Sequence, residues 1–254
     1  MFSLQGKKAL IVGVANAQSI AYGCAKALRM QGADLAITYL NAKAEPYVRP
    51  LAEDLGAQII APLDVADHGQ IDALFDQIGA EWGTLDTVLH SIAFCPAEDL
   101  HGRVTDCSRA GFATAMDISV GSFMHLVRKS EPMMPNGGTC MTVSYYGAEK
   151  VVDHYNVMGP VKAALESVTR YMAAELGPKG ISVHALSPGP LKTRAASGIA
   201  HFDELLDKAA QKAPTHHLAT IEDVGAYAAF LASTEAANVT GGVHYIDGGY
   251  HIVG

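Results

Sequence analysis

Residues 7–14 read KKALIVGV, a short apolar run rich in Ile and Val that closes on a glycine. A run this short, without polar alternation, suits a parallel strand buried on both faces. The segment after it has the other period. Ser19 stands as a helix N-cap before IAYGCAKALRMQG, whose apolar residues recur at helical spacing until Gly32. The alternation continues. Residues 33–40 form a second strand, a proline-interrupted helix runs to Leu55, and QIIAPLDV is a third strand ending at Asp64–Val65. HGQIDALFDQIGAEWG is an amphipathic helix and LDTVLHSIAF a fourth strand. Strands that alternate with helices in this way predict right-handed crossovers and a parallel sheet.

The second half keeps the pattern with longer connections. Residues 95–110 read as a loop, followed by a helix to about Glu131. GGTCMTVS is a fifth strand, residues 145–167 a helix and GISVHALS a sixth strand. A long loop, PGPLKTRAASGI, leads to a helix from Phe202. IEDVGAYAAFLAS is a helix with Glu222 and Asp223 in its first turn, where acids favour the dipole. VHYIDGGYHIVG closes the chain as a seventh strand and tail. The expectation is an α/β fold: a Rossmann-like, doubly wound parallel sheet of seven strands with helices on both faces, in a single domain 1–254.

Composition removes several classes. At 49% hydrophobic and 17% charged residues, the 254-residue chain is globular and not disordered. A net charge of -8 argues against a nucleic-acid partner. Cys24, Cys95, Cys107 and Cys140 are scattered and form no CxxC pair. With no secretory signal, free thiols in a reducing cytoplasm are expected. No stretch approaches the ~20 apolar residues of a membrane span. The 11 histidines include no metal-binding HxxxH spacing, and His216 and His217 read as surface residues. No metal is expected.

The first strand-to-helix turn runs GVANAQSIAYG, Gly13 to Gly23. A slim turn opening a helix can bring Gly13, Ser19 and Ile20 against a pyrophosphate. The alternative is a tight turn that binds nothing. Asp64, Val65, Ser91 and Ile92 fall at carboxyl ends of parallel strands, where open α/β sheets bind ligands. Asp64 can accept from an adenine amino group or cap the following segment. The second strand ends Tyr39–Leu40–Asn41, with neither an acid for a ribose 2′-hydroxyl nor an arginine for a 2′-phosphate. NADH is favoured over NADPH.

Tyr155 precedes Lys162 by seven residues, and Tyr145 precedes Tyr155 by ten. On a helix, a seven-residue spacing puts Tyr155 and Lys162 within ~20° of one face and ~10 Å apart. One extended ligand can then meet both, although two plain surface residues would show the same spacing. Tyr146 and Lys150 form a second, Tyr-x3-Lys pair directly after a strand, which reads as loop.

The glycine turn, Asp64–Val65, SIAF and YNVMGPVK resemble the short-chain dehydrogenase/reductase superfamily. Within it, the chain is similar over essentially its whole length to the enoyl-acyl-carrier-protein reductases of bacterial fatty-acid synthesis. GVANAQSIAYG, Tyr-x6-Lys, Tyr145, GPLKTRAASGI and the ending IDGGY carry this likeness. It implies NADH-dependent reduction of a trans-2-enoyl thioester on acyl-carrier protein. Tyr155 would then donate to the thioester oxygen, Lys162 would hold the nicotinamide ribose, and Tyr145 would be the second active-site tyrosine. Leu191, Thr193 and Ala195 would line the cofactor, and Cys95, Met158, Ile199 and Phe202 the acyl slot. Residues 191–213 would form a lid, and the assembly would be a homotetramer. The lid helix sets Asp203, Glu204 and Asp207 against Lys208 and Lys212, a mixed face for an acidic carrier. Another enoyl thioester, a ketoreductase substrate, or a non-catalytic dinucleotide sensor stay open as alternatives.

Overall fold

The computed structural model describes residues 2–191 and 202–253, without the side chains of 202–205. Seven parallel strands are β1 (Lys8–Val12), β2 (Asp34–Tyr39), β3 (Ile59–Pro62), β4 (Thr87–His90), β5 (Gly138–Val143), β6 (Ile181–Pro188) and β7 (Val243–Ile246). Their order is β3-β2-β1-β4-β5-β6-β7. The doubly wound expectation holds. The order reverses between β1 and β4, and a crevice opens above such a switch point.

The nine helices of the described residues are α1 (Ile20–Met30), α2 (Glu45–Asp54), α3 (His68–Glu81), α4 (Ala97–Leu100), α5 (Arg109–Met116), α6 (Ser122–Ser130), α7 (Met158–Leu176), α8 (Phe202–Lys212) and α9 (Ile221–Leu231). Alternate strand residues feed two apolar layers. Leu10 and Val12 of β1 join Ile71, Leu74, Phe123 and Leu165 on one face. Ala9 and Ile11 join Ala21, Cys24, Leu28, Val224 and Ala228 on the other. This two-sided burial is why the strands read as continuous apolar runs. Cys24 and Cys140 are buried, and all four cysteines are free.

Four expectations are corrected. Ser19 holds the N-cap position of α1, but its side chain does not cap the helix. Its hydroxyl instead accepts from the N–H groups of Ala15 and Asn16, both at 3.0 Å. Asp67, not Asp64, caps α3, accepting from Gly69 and Gln70. The segment 109–133 is one continuous helical run of 25 residues with a π-helical turn at Asp117–Gly121. Its length and mean hydropathy of 1.2 would suffice to cross a membrane, against the expectation that no stretch approaches such a span. Phe123, Leu126 and Val127 on it are packed into the core, which accounts for the apolar composition.

The fourth correction concerns Tyr155. The helix expected over 145–167 begins only at Met158. Residues 146–148 form a single 3-10 turn, so Tyr146 and Lys150 do lie off the helix. Tyr155 sits in the turn that follows, between His154 (φ 64) and Asn156 (φ 45). Two left-handed residues cannot continue an α-helix, and Asn tolerates that region better than most. The Asn156 amide donates to the Leu100 carbonyl at 2.9 Å, which fixes the turn. Pro160 in the first turn of α7 was the available signal, since proline is tolerated where helical N–H groups are free.

Candidate active site

A cavity of about 360 Å³ opens above the carboxyl ends of β1, β4, β5 and β6. Gly13, Ser19 and Ile20 form one wall, and Ser91, Ile92 and Cys95 the next. Tyr145, Tyr155, Met158, Lys162 and Leu191 close the far side. Eleven residues singled out in the sequence thus meet in one space. Gly13 is required by the backbone: its φ is +110°, and a Cβ there would stand 2.2 Å from the Ser91 carbonyl oxygen. That close approach joins the β1 and β4 ends across the switch point.

Other expected residues stand elsewhere. Leu40 follows β2 and is 53% exposed. Asp64 and Val65 follow β3, and Asp64 accepts from the Ala66 N–H at 3.0 Å. These three lie outside the cavity lining, on the β2–β3 side of the sheet. Asn41 turns its side chain onto the N–H groups of Lys43 and Ala44 at 3.0 and 3.2 Å, closing the turn after β2. Thr193, Ala195 and Ile199 lie outside the described residues, as does the side chain of Phe202.

Tyr155 is 9% exposed, and burial raises its pKa, with Tyr145 and Glu166 adding to the rise. The phenol therefore stays protonated and able to donate. Lys162 is 5% exposed, and its ammonium donates to the Val143 carbonyl at 2.7 Å. Burial lowers its pKa to about 8, opposed by the charge of Glu166. Tyr145 lies edge-on to Tyr155, and its hydroxyl is buried without a partner among the described residues.

The cavity is also lined by Leu100, Val143, Ser144 and Pro188, which the sequence did not single out, and by Phe94, Gly189 and Pro190, which it marked only as parts of SIAF and GPLKTRAASGI. Most lie at or just after the ends of β4, β5 and β6, where open α/β sheets bind ligands. Sequence reasoning also missed His90 beneath the floor, whose ring nitrogens meet Thr142 at 2.9 Å and Ser122 at 2.8 Å. A lone histidine inside an apolar strand carries no sequence signal of that pairing.

A dinucleotide fits this site on three counts. The N-terminus of α1 has no side-chain cap, leaving backbone N–H groups for a phosphate. The wall beside it is slim, with Gly13 and Ala15. Lys162 presents a buried ammonium donor on the opposite side, of the kind ribose hydroxyls accept from.

The family model described as Enoyl-(Acyl carrier protein) reductase matches residues 13–251. The NADH enoyl-acyl-carrier-protein reductase 1 of Rhizobium meliloti strain 1021 is 47% identical over 251 residues, covering 99% of this chain and 92% of that protein. The crystal structure of the Anaplasma phagocytophilum enoyl-acyl-carrier-protein reductase in complex with NAD is similar with a TM-score of 0.95 and 46% identity, over 100% of this chain and 97% of that one. The Bacillus cereus enoyl-acyl-carrier-protein reductase with NADP+ and indole naphthyridinone reaches a TM-score of 0.97 at 42% identity, over 100% of both chains. Likeness of this extent in both sequence and fold places the chain in the enoyl-acyl-carrier-protein reductase family.

Proposed function

We propose that this chain reduces the trans-2 double bond of enoyl-acyl-carrier-protein thioesters with NADH, in fatty-acid elongation. The observation that carries this reading is the convergence of Tyr155, Lys162 and the uncapped α1 N-terminus on one cavity. When bound, the reduced nicotinamide supplies a hydride to the β-carbon of the substrate. Tyr155 then matters through its proton. As charge develops on the thioester oxygen, a neutral phenol donates to it more strongly than to the ground-state carbonyl. Burial keeps that proton on Tyr155. Lys162 binds the ribose hydroxyls of the cofactor, and its positive charge favours the developing anion in a site shielded from water. Tyr145 backs the Tyr155 ring.

The Ser19–Ile20 end of α1, with Leu191 and the expected Thr193 and Ala195, holds the pyrophosphate side. Leu40, Asp64 and Val65 hold the adenosine side. Cys95 and Met158, with the expected Ile199 and Phe202, bound the acyl group, and residues 191–213 close over it. Domain 1–254 acts as one unit in the cytoplasm. The apolar side chains Phe112, Met124 and Tyr171, exposed on α5, α6 and α7, support burial between subunits of a homotetramer.

The test follows NADH and NADPH oxidation by absorbance, with crotonyl-CoA and with a carrier-linked enoyl substrate. Turnover with NADH and preference for the carrier-linked substrate are expected. Activity only on carbonyl substrates would favour a ketoreductase, and tight NADH binding without turnover a sensor.

A further inference from the structure

We propose that Ser144 and Glu166 form a buried positioning pair that aims Lys162 into the cavity and keeps it charged. This deepens the reductase reading and rests on it. Two successive residues at the end of β5 are tied to two residues one turn apart on α7. The Val143 carbonyl accepts from Lys162 at 2.7 Å, and the Ser144 hydroxyl donates to Glu166 at 2.6 Å. Lys162 and Glu166 are four residues apart and so share one helix face. The Ser144 N–H donates to the Leu186 carbonyl at 2.6 Å, which fixes the strand end from the other side. Tyr145 follows directly. One stitch therefore sets the reach of Lys162 and the origin of Tyr145 together.

Both members are buried, Ser144 at 3% and Glu166 at 8% exposure. A carboxylate is costly to bury unless something is gained from its charge. Burial and Glu149 raise the Glu166 pKa, while the Ser144 hydrogen bond, Arg170 and Lys162 lower it. From the other packed elements, His90 of β4, which burial keeps neutral, feels the Lys162 charge, and Tyr155, which stays protonated, lines the same cavity. Among these groups Glu166 is the one anion beside Lys162, so it opposes the loss of the Lys162 proton in a dry site.

The test titrates the Lys162 ε-carbon by NMR in the cofactor-free wild type, Glu166→Gln and Ser144→Ala, with melting temperatures alongside. NADH affinity and kcat/KM are measured over the same pH range. In Glu166→Gln the Lys162 titration and the alkaline limb of NADH binding are expected to move down by about 1 pH unit. Ser144→Ala is expected to move both the same way by less, because Glu166 loses the donor that favours its charge. In Glu166→Gln, at pH below the limb, the loss is expected to fall on NADH affinity more than on kcat. Unmoved Lys162 titrations in the folded variants overturn the proposal. If Glu166→Gln does not fold, Ser144→Ala alone decides, since it removes one hydroxyl. A wild type without enoyl reduction sinks the reductase reading, and the cofactor-free titration still decides the pair.

Discussion

The rings of Tyr145 and Tyr155 meet edge to face, with centroids 4.9 Å apart and planes at 66°. This geometry is favourable between aromatic rings and fixes one against the other. It also divides their roles. Tyr155 lines the cavity as a protonated donor, whereas the Tyr145 hydroxyl is buried without a partner among the described residues. Tyr155→Phe is therefore expected to lower kcat about 100-fold, the cost of one donor to a developing oxyanion. NADH affinity, read by fluorescence, should hardly change. Lys162→Ala should weaken NADH affinity first.

Tyr145→Phe should behave differently. Removing a buried hydroxyl that makes no hydrogen bond is expected to raise stability by about 1 kcal/mol. Urea unfolding reads this directly. A fall in stability would mean that the hydroxyl has a partner in solution.

Gly147 lies under the Tyr155 ring. A Cβ at this position would stand 2.4 Å from Cδ1 of Tyr155, so the buried ring must shift. Gly147→Ala is expected to cut kcat at least tenfold, since a displacement of about 1 Å in a reacting group is costly. The melting temperature should fall much less in proportion. Unchanged kcat would show that the Tyr155 placement tolerates this movement.

His90 sets an acid limit on stability. Ser122 donates its single hydroxyl proton to the Ile118 carbonyl at 2.6 Å, so it accepts from Nε2 of His90. Nδ1 then accepts from Thr142, and the ring is neutral. Burial, aided by the Lys162 charge, lowers the His90 pKa from 6.5 to about 3. Between these values the unfolded state binds the extra proton, so this contribution to stability falls as pH drops from 6.5 toward 3. The slope is at most about 1.4 kcal/mol per pH unit. Urea midpoints across this window should fall with acid, and His90→Asn should flatten that dependence.

Under the proposed function, the β2 end is expected to govern the choice of cofactor. Leu40 is exposed, and the Asn41 side chain is occupied by its own turn, so neither offers a positive charge to a 2′-phosphate. NADH should exceed NADPH in kcat/KM. Leu40→Arg is expected to shift the ratio toward NADPH by about tenfold, the worth of one charge-assisted contact. An unmoved ratio would place the phosphate subsite elsewhere.

Much of this protein was legible in the sequence because its determinants are local. The apolar runs of β1, β2 and β5, buried on both faces, cannot be amphipathic, and the helical periods between them force crossovers. Gly13 was legible because the strand-to-helix turn has a sequence signature. The Tyr155 and Lys162 pair was also legible as a pair. Its geometry was not: the spacing argument assumed one helix, but left-handed His154 and Asn156 place Tyr155 in the turn before α7. That turn is held by a contact to Leu100, 56 residues away in sequence. The same holds for Ser144 with Glu166, 22 residues apart, and for His90 with Thr142, 52 apart. Periodicity reports which face of an element is buried. Which polar groups meet across that face is decided only when strands and helices pack, because a buried donor takes whatever acceptor the packing brings to it.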